Sequence, residues 1–354
     1  MVVFSMADFT NMLAQAGLGL IAEQMQDRPE EWDYVTANSE YTPVNYLRNF
    51  VEYQAEYMAG SINHYLNLSI VLYNDRKPAG IWPLCMRQAG EIWVCGSNEG
   101  PICPPLFVKG LAEKTRKSLD DKCIELIEML CRQTVQTEWL GIESTDSRGI
   151  SGWHRKIMEK DATMYVSHEL YVDLTRSLED IRKSVRKSYK SLLSMGEKLW
   201  QIELIDNSQP EVFNEFRELH CRVAGRVTRS LETWNLQEKA IVEHCAFLVA
   251  LRDKEGVMVG CGLFYFSNSE GLYAVGAYDR ELFHLPLGHV VQMKAIETMQ
   301  ELGLRWYKIG HRPYLGDFLA STEKERSIAR FKEGFATHVY LRSHTTCPVP
   351  ECLS

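Results

Sequence analysis

The sequence holds no run of the roughly 18 apolar residues that a membrane-spanning helix needs, so nothing in it is expected to cross a bilayer. It also has no C-x-x-C pair, although it contains ten cysteines. The thiols are scattered through apolar runs such as Leu84-Cys85-Met86 and Val94-Cys95, which suits reduced, buried side chains better than a disulfide framework. His344, Cys347 and Cys352 come nearest to a metal cluster, but two poorly spaced thiols beside one imidazole do not make one. No metal is expected, and residues 345–354 read as a disordered tail. His220-Cys221 and His244-Cys245 are sequence neighbours on expected helices, so their side chains diverge and make poor nucleophile and base pairs. An excess of positive charge is missing too: the net charge is −8, which argues against broad nonspecific adhesion to nucleic acid. The first twenty residues contain Asp8 but no Lys or Arg, so they lack a secretory n-region, and a cytoplasmic protein is expected.

What is present is an ordinary globular composition, 45% apolar, in 354 residues, enough for about two domains. The clearest pattern runs from Ala246 to His344. Ala246 to Leu251 and Val257 to Phe266 read as a hairpin around Asp253-Lys254-Glu255-Gly256, followed by a strand from Gly271 to Ala277. Pro286 opens a helix whose stripe is Val290, Met293, Ile296 and Met299, and Gly303 stops it. Arg305 to Gly310 is a strand, Thr322 to Gly334 a helix and Thr337 to Leu341 a last strand.

The same order occurs earlier. Asn67 to Tyr73 and Ala79 to Arg87 form a hairpin, and Glu91 to Cys95 is the next strand. A proline-rich loop, Gly100 to Pro105, leads to a helix from Asp120 to Thr137, a strand from Glu138 to Glu143, a helix from Ile150 to Lys160 and a strand from Met164 to Leu174. This is the signature of a structural duplication without close sequence identity. The expected division is residues 1–165, with an N-terminal arm, and residues 166–344.

Two segments carry polar chemistry. Arg176, Arg182, Lys183, Arg186, Lys187, Lys190 and Lys198 fall in one segment that reads as an amphipathic helix, with a capping arrangement of Ser177 and Asp180 at its start and Gly196 near its end. It is either a solvated face or a docking surface for a phosphate-bearing partner. In Phe216 to Trp234, Arg226 and Arg229 lie three apart on one expected helix and its exit, a spacing that lets two guanidinium groups hold a phosphate or carboxylate while Trp234 stacks on a ring. The plainer alternative is an arginine anchoring a helix end to a neighbouring carboxylate.

The series Arg182-Lys183-Ser184-Val185-Arg186-Lys187-Ser188-Tyr189, then Gly225-Arg226-Val227-Thr228-Arg229 with Trp234, then Trp306-Tyr307-Lys308-Ile309-Gly310, and finally Arg330-Phe331-Lys332-Glu333-Gly334-Phe335, resembles the Fem family of aminoacyl transferases, within the GNAT-like acyltransferases. The likeness covers Leu178 to Arg342, and the N-terminal half by element order. It implies a mixed α/β fold of two tandem GNAT-like domains with an interdomain cleft. It also implies transfer of an aminoacyl or acyl group to an amine of a sugar or cell-envelope precursor, with aminoacyl-tRNA or acyl-CoA as donor and no tightly bound cofactor. Acyl transfer needs positive charge or hydrogen-bond donors beside the oxygen that becomes anionic. Lys332 matches the family's lysine in that role, and Tyr273 matches an aromatic hydroxyl near the acceptor. Arg226 and Arg229 match the substrate-holding segment, with Trp234, Phe331 and His289 as further substrate contacts. Asp279-Arg280 stands near the same helix start. Arg186, Lys187 and Lys190 are the expected donor-binding cations, including for a possible tRNA.

Two features depart from the pattern. A CoA-using GNAT half carries Arg or Gln-x-x-Gly-x-Gly or Ala before its central helix, where backbone N–H groups hold the pyrophosphate. Here His284-Leu285-Pro286-Leu287-Gly288-His289 has one glycine and a proline, and Asn98-Glu99-Gly100-Pro101-Ile102-Cys103-Pro104-Pro105 in the first half is no better. The long helical hairpin that some Fem relatives use to hold tRNA has no room between Gly196 and Leu204. A CoA-dependent N-acetyltransferase and a noncatalytic glycan or nucleotide-sugar binding protein therefore remain as alternatives.

Overall fold

The structure is a computed structural model that describes residues 4–60, 64–98, 100–145 and 151–350. Two compact units divide it, Met1–Val166 with Leu341–Ser354, and Ser167–Tyr340. Glu99, Ile150 and Cys352, named above, lie outside the described residues.

In the first unit the chain order is α1 (Met6–Gln15), β1 (Ala22–Gln24), α2 (Pro29–Asn38), α3 (Arg48–Ala59), β2 (Tyr65–Asn67), β3 (Ile70–Asn74), β4 (Lys77–Trp82), β5 (Cys85–Ala89) and β6 (Ile92–Gly96). Then come β7 (Leu106–Phe107), α4 (Glu113–Gln133), β8 (Glu138–Thr145), α5 (Gly152–Met158) and the start of β9 (Thr163–Asp173). The long return strand expected over Ala79–Arg87 breaks at Pro83, which has no N–H for a ladder. Its two pieces, β4 and β5, join different sheets, of order β1-β3-β4-β7 and β2-β5-β6. The N-terminal arm is helical: α1 starts in a capping box of Ser5 and Asp8 and buries Phe9, Met12 and Leu13.

The second unit continues with α6 (Leu178–Ser184), α7 (Lys187–Leu199), β10 (Gln201–Ile205), α8 (Pro210–Ala224), α9 (Leu231–Val242), β11 (Ala246–Arg252), β12 (Met258–Phe266) and β13 (Glu270–Tyr278). It ends with α10 (Leu287–Glu301), β14 (Trp306–His311), α11 (Glu323–Glu333) and the start of β15 (His338–Pro348). The strands follow the order β10-β11-β12-β13-β14-β9, antiparallel except for β13 with β14. Alternation along β11 turns Phe247, Val249 and Leu251 toward a core with Val290, Val291 and Ile296 of α10 and Tyr189 and Leu193 of α7. Helices α8 and α9 pack on β11, β12 and β13 with a separate aromatic set, Phe213, Phe216 and Trp234, and so cover the other face.

Residues 345–350 correct the expected tail, whose last four residues lie outside the described ones. β15 runs to Pro348, and its residues 341–348 pair antiparallel with β8. Cys347 is 1% exposed in the core of the first unit, and His344 stacks on Tyr165 at 4.7 Å. Residues beyond Leu341 lack strict alternation, and pairing to β8 supplies what local sequence does not.

Candidate functional site

Strands β13 and β14 are parallel only at their first residues, from Glu270↔Trp306 to Leu272↔Lys308, and then part. Each carries an irregularity just beyond that point. Along β12, the partner jumps from Tyr273 to Val275, leaving Ala274 as an extra residue in β13. Along β9, it jumps from Lys308 to Gly310, leaving Ile309 extra in β14. A bulge bends its strand and reaims the side chains that follow. In β13 it brings Tyr273 and Tyr278, five residues apart and opposed by strict alternation, into a hydroxyl–hydroxyl contact of 3.1 Å.

Lys332 enters this parting from the last turn of α11. That helix begins in a capping box of Thr322 and Glu325, which orients its end. The ammonium lies 5.0 Å from the centroid of the Tyr273 ring, and among the described residues no carboxylate pairs with it. Burial lowers its pKa to about 8, because no anion offsets the loss of water. Gly310 faces it with φ of +141°, and a Cβ there would stand 2.7 Å from Nζ. Tyr273 stacks on Phe264 at 5.2 Å, and burial pushes its hydroxyl up to about 12, so it is a donor at neutral pH. Gly276 leaves the space that the Tyr273 ring occupies.

Phe331 and His289 belong to the same assembly. The Phe331 ring comes to 3.1 Å from where a Cβ on Gly288 would be, in the first turn of α10. His289 meets Phe331 edge-on at 5.0 Å and Tyr189 at 4.5 Å, and burial lowers its pKa to about 4, so it is neutral. Tyr278 is not among the residues the sequence singles out, and Gly310 and Tyr189 stand there inside the strings that carry the resemblance, with no role of their own. A lone glycine ending a strand was the available signal for Gly310.

The expected arginine pair is not on a helical face. Gly225 takes a left-handed conformation and caps α8, so Arg226 and Arg229 fall in the loop before α9. Arg226 is exposed. Arg229 lies over the Trp234 ring at 4.6 Å and donates to Gln237 Oε1 at 3.2 Å. Trp234 is buried against Phe213, Phe216 and His220, in the layer that covers the sheet face away from α10. His220 is pushed down to about 4 by burial and by Arg229. Trp234 is therefore core, and its ring is not open to stack on a ligand.

The basic segment is likewise two helices, broken at Val185 and Arg186. Lys187 and Lys190 are exposed, Lys190 donating to the Lys183 carbonyl at 2.9 Å. Arg186 instead donates to the Arg330 carbonyl at 2.9 Å and to Tyr189 Oη at 3.0 Å, so it is spent on holding α11. Asp279 caps the turn after β13 by accepting from the Glu281 amide. Among the described residues no group of His, Cys, Asp and Glu is arranged for a metal, and no helix is long and apolar enough to cross a membrane.

No protein-family model matches the sequence, and a search of curated proteins finds no match. Solved structures do match. FemX superimposes with a TM-score of 0.65 at 12% identity, over 89% of this chain and 95% of that one. The chain has the Fem/GNAT-like fold. L-PGS from Bacillus licheniformis gives 0.58 at 12% identity over 92% and 93%, and the C-terminal domain of a putative lysylphosphatidylglycerol synthetase from Agrobacterium fabrum gives 0.57 at 12% over 90% and 92%. In this Fem/GNAT-like fold, the parting of β13 and β14 is the place that Lys332 occupies.

Proposed function

We propose that this chain is an acyltransferase that moves an aminoacyl or acyl group onto the amine of a sugar or cell-envelope glycan precursor. One observation carries the reading: a half-buried ammonium with no counter-ion among the described residues, set between parting strands and over the ring of Tyr273. An unpaired buried cation is costly unless an incoming group uses it. In acyl transfer the acceptor nitrogen bonds to the donor carbonyl carbon and the carbonyl oxygen takes up negative charge. Lys332 is the residue placed to stabilise that oxygen, and the protonated Tyr273 hydroxyl orients the amine or donates to the same oxygen. Collapse then restores the carbonyl and breaks its bond to the donor's oxygen or sulfur, which takes up the proton lost by the amine and leaves as a hydroxyl or thiol.

An aminoacyl ester fits this site better than a CoA thioester. Pro286 stands at the start of α10, and Phe331 rests against Gly288 in its first turn, where a pyrophosphate would need free backbone N–H groups. The exposed Lys187 and Lys190 are the cations left for a tRNA backbone, and Arg226 is the exposed arginine left for an acidic group of the acceptor.

The test is mass spectrometry of the protein incubated with charged tRNA or acetyl-CoA and a panel of amino sugars. A mass gain on one acceptor from the charged tRNA, lost in Lys332→Ala, is the expected result. Gain from acetyl-CoA alone establishes the N-acetyltransferase instead, and ligand binding without any transfer establishes a binding protein.

A further inference from the structure

The break between α6 and α7 sets three donors against the end of the lysine helix. The Arg186 amide donates to the Gly334 carbonyl at 2.8 Å, its guanidinium to the Arg330 carbonyl at 2.9 Å, and Tyr189 Oη to the Phe331 carbonyl at 3.2 Å. The final carbonyls of a helix have no partner within it, and a cation there also meets the negative end of the helix dipole. The guanidinium also lies over the Tyr189 ring at 5.1 Å, so the two side chains form one clamp. The fit is tight, because a Cβ on Gly334 would clash with the edge of the Tyr189 ring, 2.8 Å from its Cζ.

Glu333 follows Lys332 directly in α11. Its carboxylate is engaged by two arginines: Arg312 Nε is 3.1 Å and Arg186 Nη2 3.9 Å from its Oε2. Titratable groups about Lys332 include the hydroxyls of Tyr273 and Tyr278 on β13 and His289 of α10 beyond Phe331, while the adjoining β14 carries His311 and Lys308, the latter paired with Glu169 at 2.9 Å.

From this geometry we infer that Arg186 and Tyr189 are positioning residues for Lys332: they fasten the last turn of α11 and, with Arg312, hold Glu333 away so that the ammonium stays available to an incoming anionic oxygen. The inference rests on the reading of Lys332 as the cation of the site, but its test needs no substrate. Arg186 would then act through the lysine helix and not through contact with a donor.

The experiment is trace labelling of Lys332 with acetic anhydride across pH in the full chain, quantified by peptide mass spectrometry. The unmodified protein should titrate near pH 8. Tyr189→Phe keeps the ring but loses the hydroxyl, and Arg186→Gln loses the charge. Each should raise the midpoint by about one pH unit, roughly tenfold in the proton equilibrium, with Lys187→Ala unchanged. Adding Glu333→Gln to Arg186→Gln should return the midpoint to that of the parent, which a mere loss of stability would not do. Where a transfer assay is in hand, Tyr189→Phe should lower kcat about tenfold and leave KM within twofold. Midpoints in both single variants equal to the parent's overturn the clamp. A midpoint that stays high after Glu333→Gln overturns the role given to Glu333. Absence of transfer in the parent itself bears on the proposed function and leaves the labelling result standing.

Discussion

A lysine without an anion is destabilising in the free protein, and at Lys332 the sign of that effect can be worked out. Its pKa is lowered to about 8 on folding, so between roughly pH 8 and the ordinary lysine value the unfolded chain binds more protons than the folded one. The native state therefore gains stability as pH rises through that window. Lys332→Met, which fills similar volume without charge, should raise the melting temperature at pH 7 and lose most of that advantage at pH 10. Thermal melts at the two pH values check this, and an equal shift at both would show that the charge is solvated. The same ionisation sets activity: transfer should fall above about pH 8 as the ammonium is lost, and Lys332→Ala should cost on the order of a hundredfold or more in turnover. The sequence marked this residue through the Phe331-Lys332-Glu333-Gly334-Phe335 string. It could not show the burial, because a lysine ending a helix is ordinarily solvated and matched to the dipole.

At the scale of elements, hydrophobic spacing placed the helices and strands between Ala246 and Gly334 within a residue or two, as with β11 at Ala246–Arg252 and α10 at Leu287–Glu301. It failed where a distant partner decides the backbone. The stripe of Ile181, Val185 and Leu192 reads as one helix, yet the chain turns at Arg186 because its amide bonds the Gly334 carbonyl. The paired irregularities at Ala274 and Ile309 were equally hidden, since each depends on the register of a neighbouring strand. Gly310 gives this a test. Its φ of +141° is strained for any L side chain, and a Cβ would meet Lys332 Nζ. Gly310→Ala should lower stability by about 1–3 kcal/mol in urea unfolding and shift the labelling midpoint of Lys332. A substitution that changes neither would mean that the lysine does not fill the space beside β14.

For the molecule as a whole, the expectation of buried, reduced thiols extends to a labelling pattern. Burial raises the pKa of Cys95, Cys123 and Cys261, which makes them poor nucleophiles, whereas Cys221 and Cys245 are partly exposed. In native protein a thiol reagent mapped by mass spectrometry should modify Cys221 and Cys245 first among the described cysteines, and rapid labelling of Cys123 would contradict the core. Cys347 should also resist. Its burial bears on the chain's end, where Thr345, Thr346, Cys347 and Pro348 pair with Gly141, Leu140, Trp139 and Glu138. Beyond them the Val349 amide donates to the Thr137 carbonyl at 2.8 Å, and Arg132 donates to the Pro350 carbonyl at 3.2 Å. Gly141 shows how close the packing is, since a Cβ there would stand 2.5 Å from the Thr345 hydroxyl. Ending the chain at His344 removes these ladder bonds and uncovers Trp139, which is 2% exposed. The expected cost is about 2–4 kcal/mol, a fall of roughly 5–10 °C in the melting of the first unit. Hydrogen exchange should locate the loss in β8, with amides of β11 and β12 still protected. Unchanged protection of β8 would mean that residues 345–350 add nothing to the sheet.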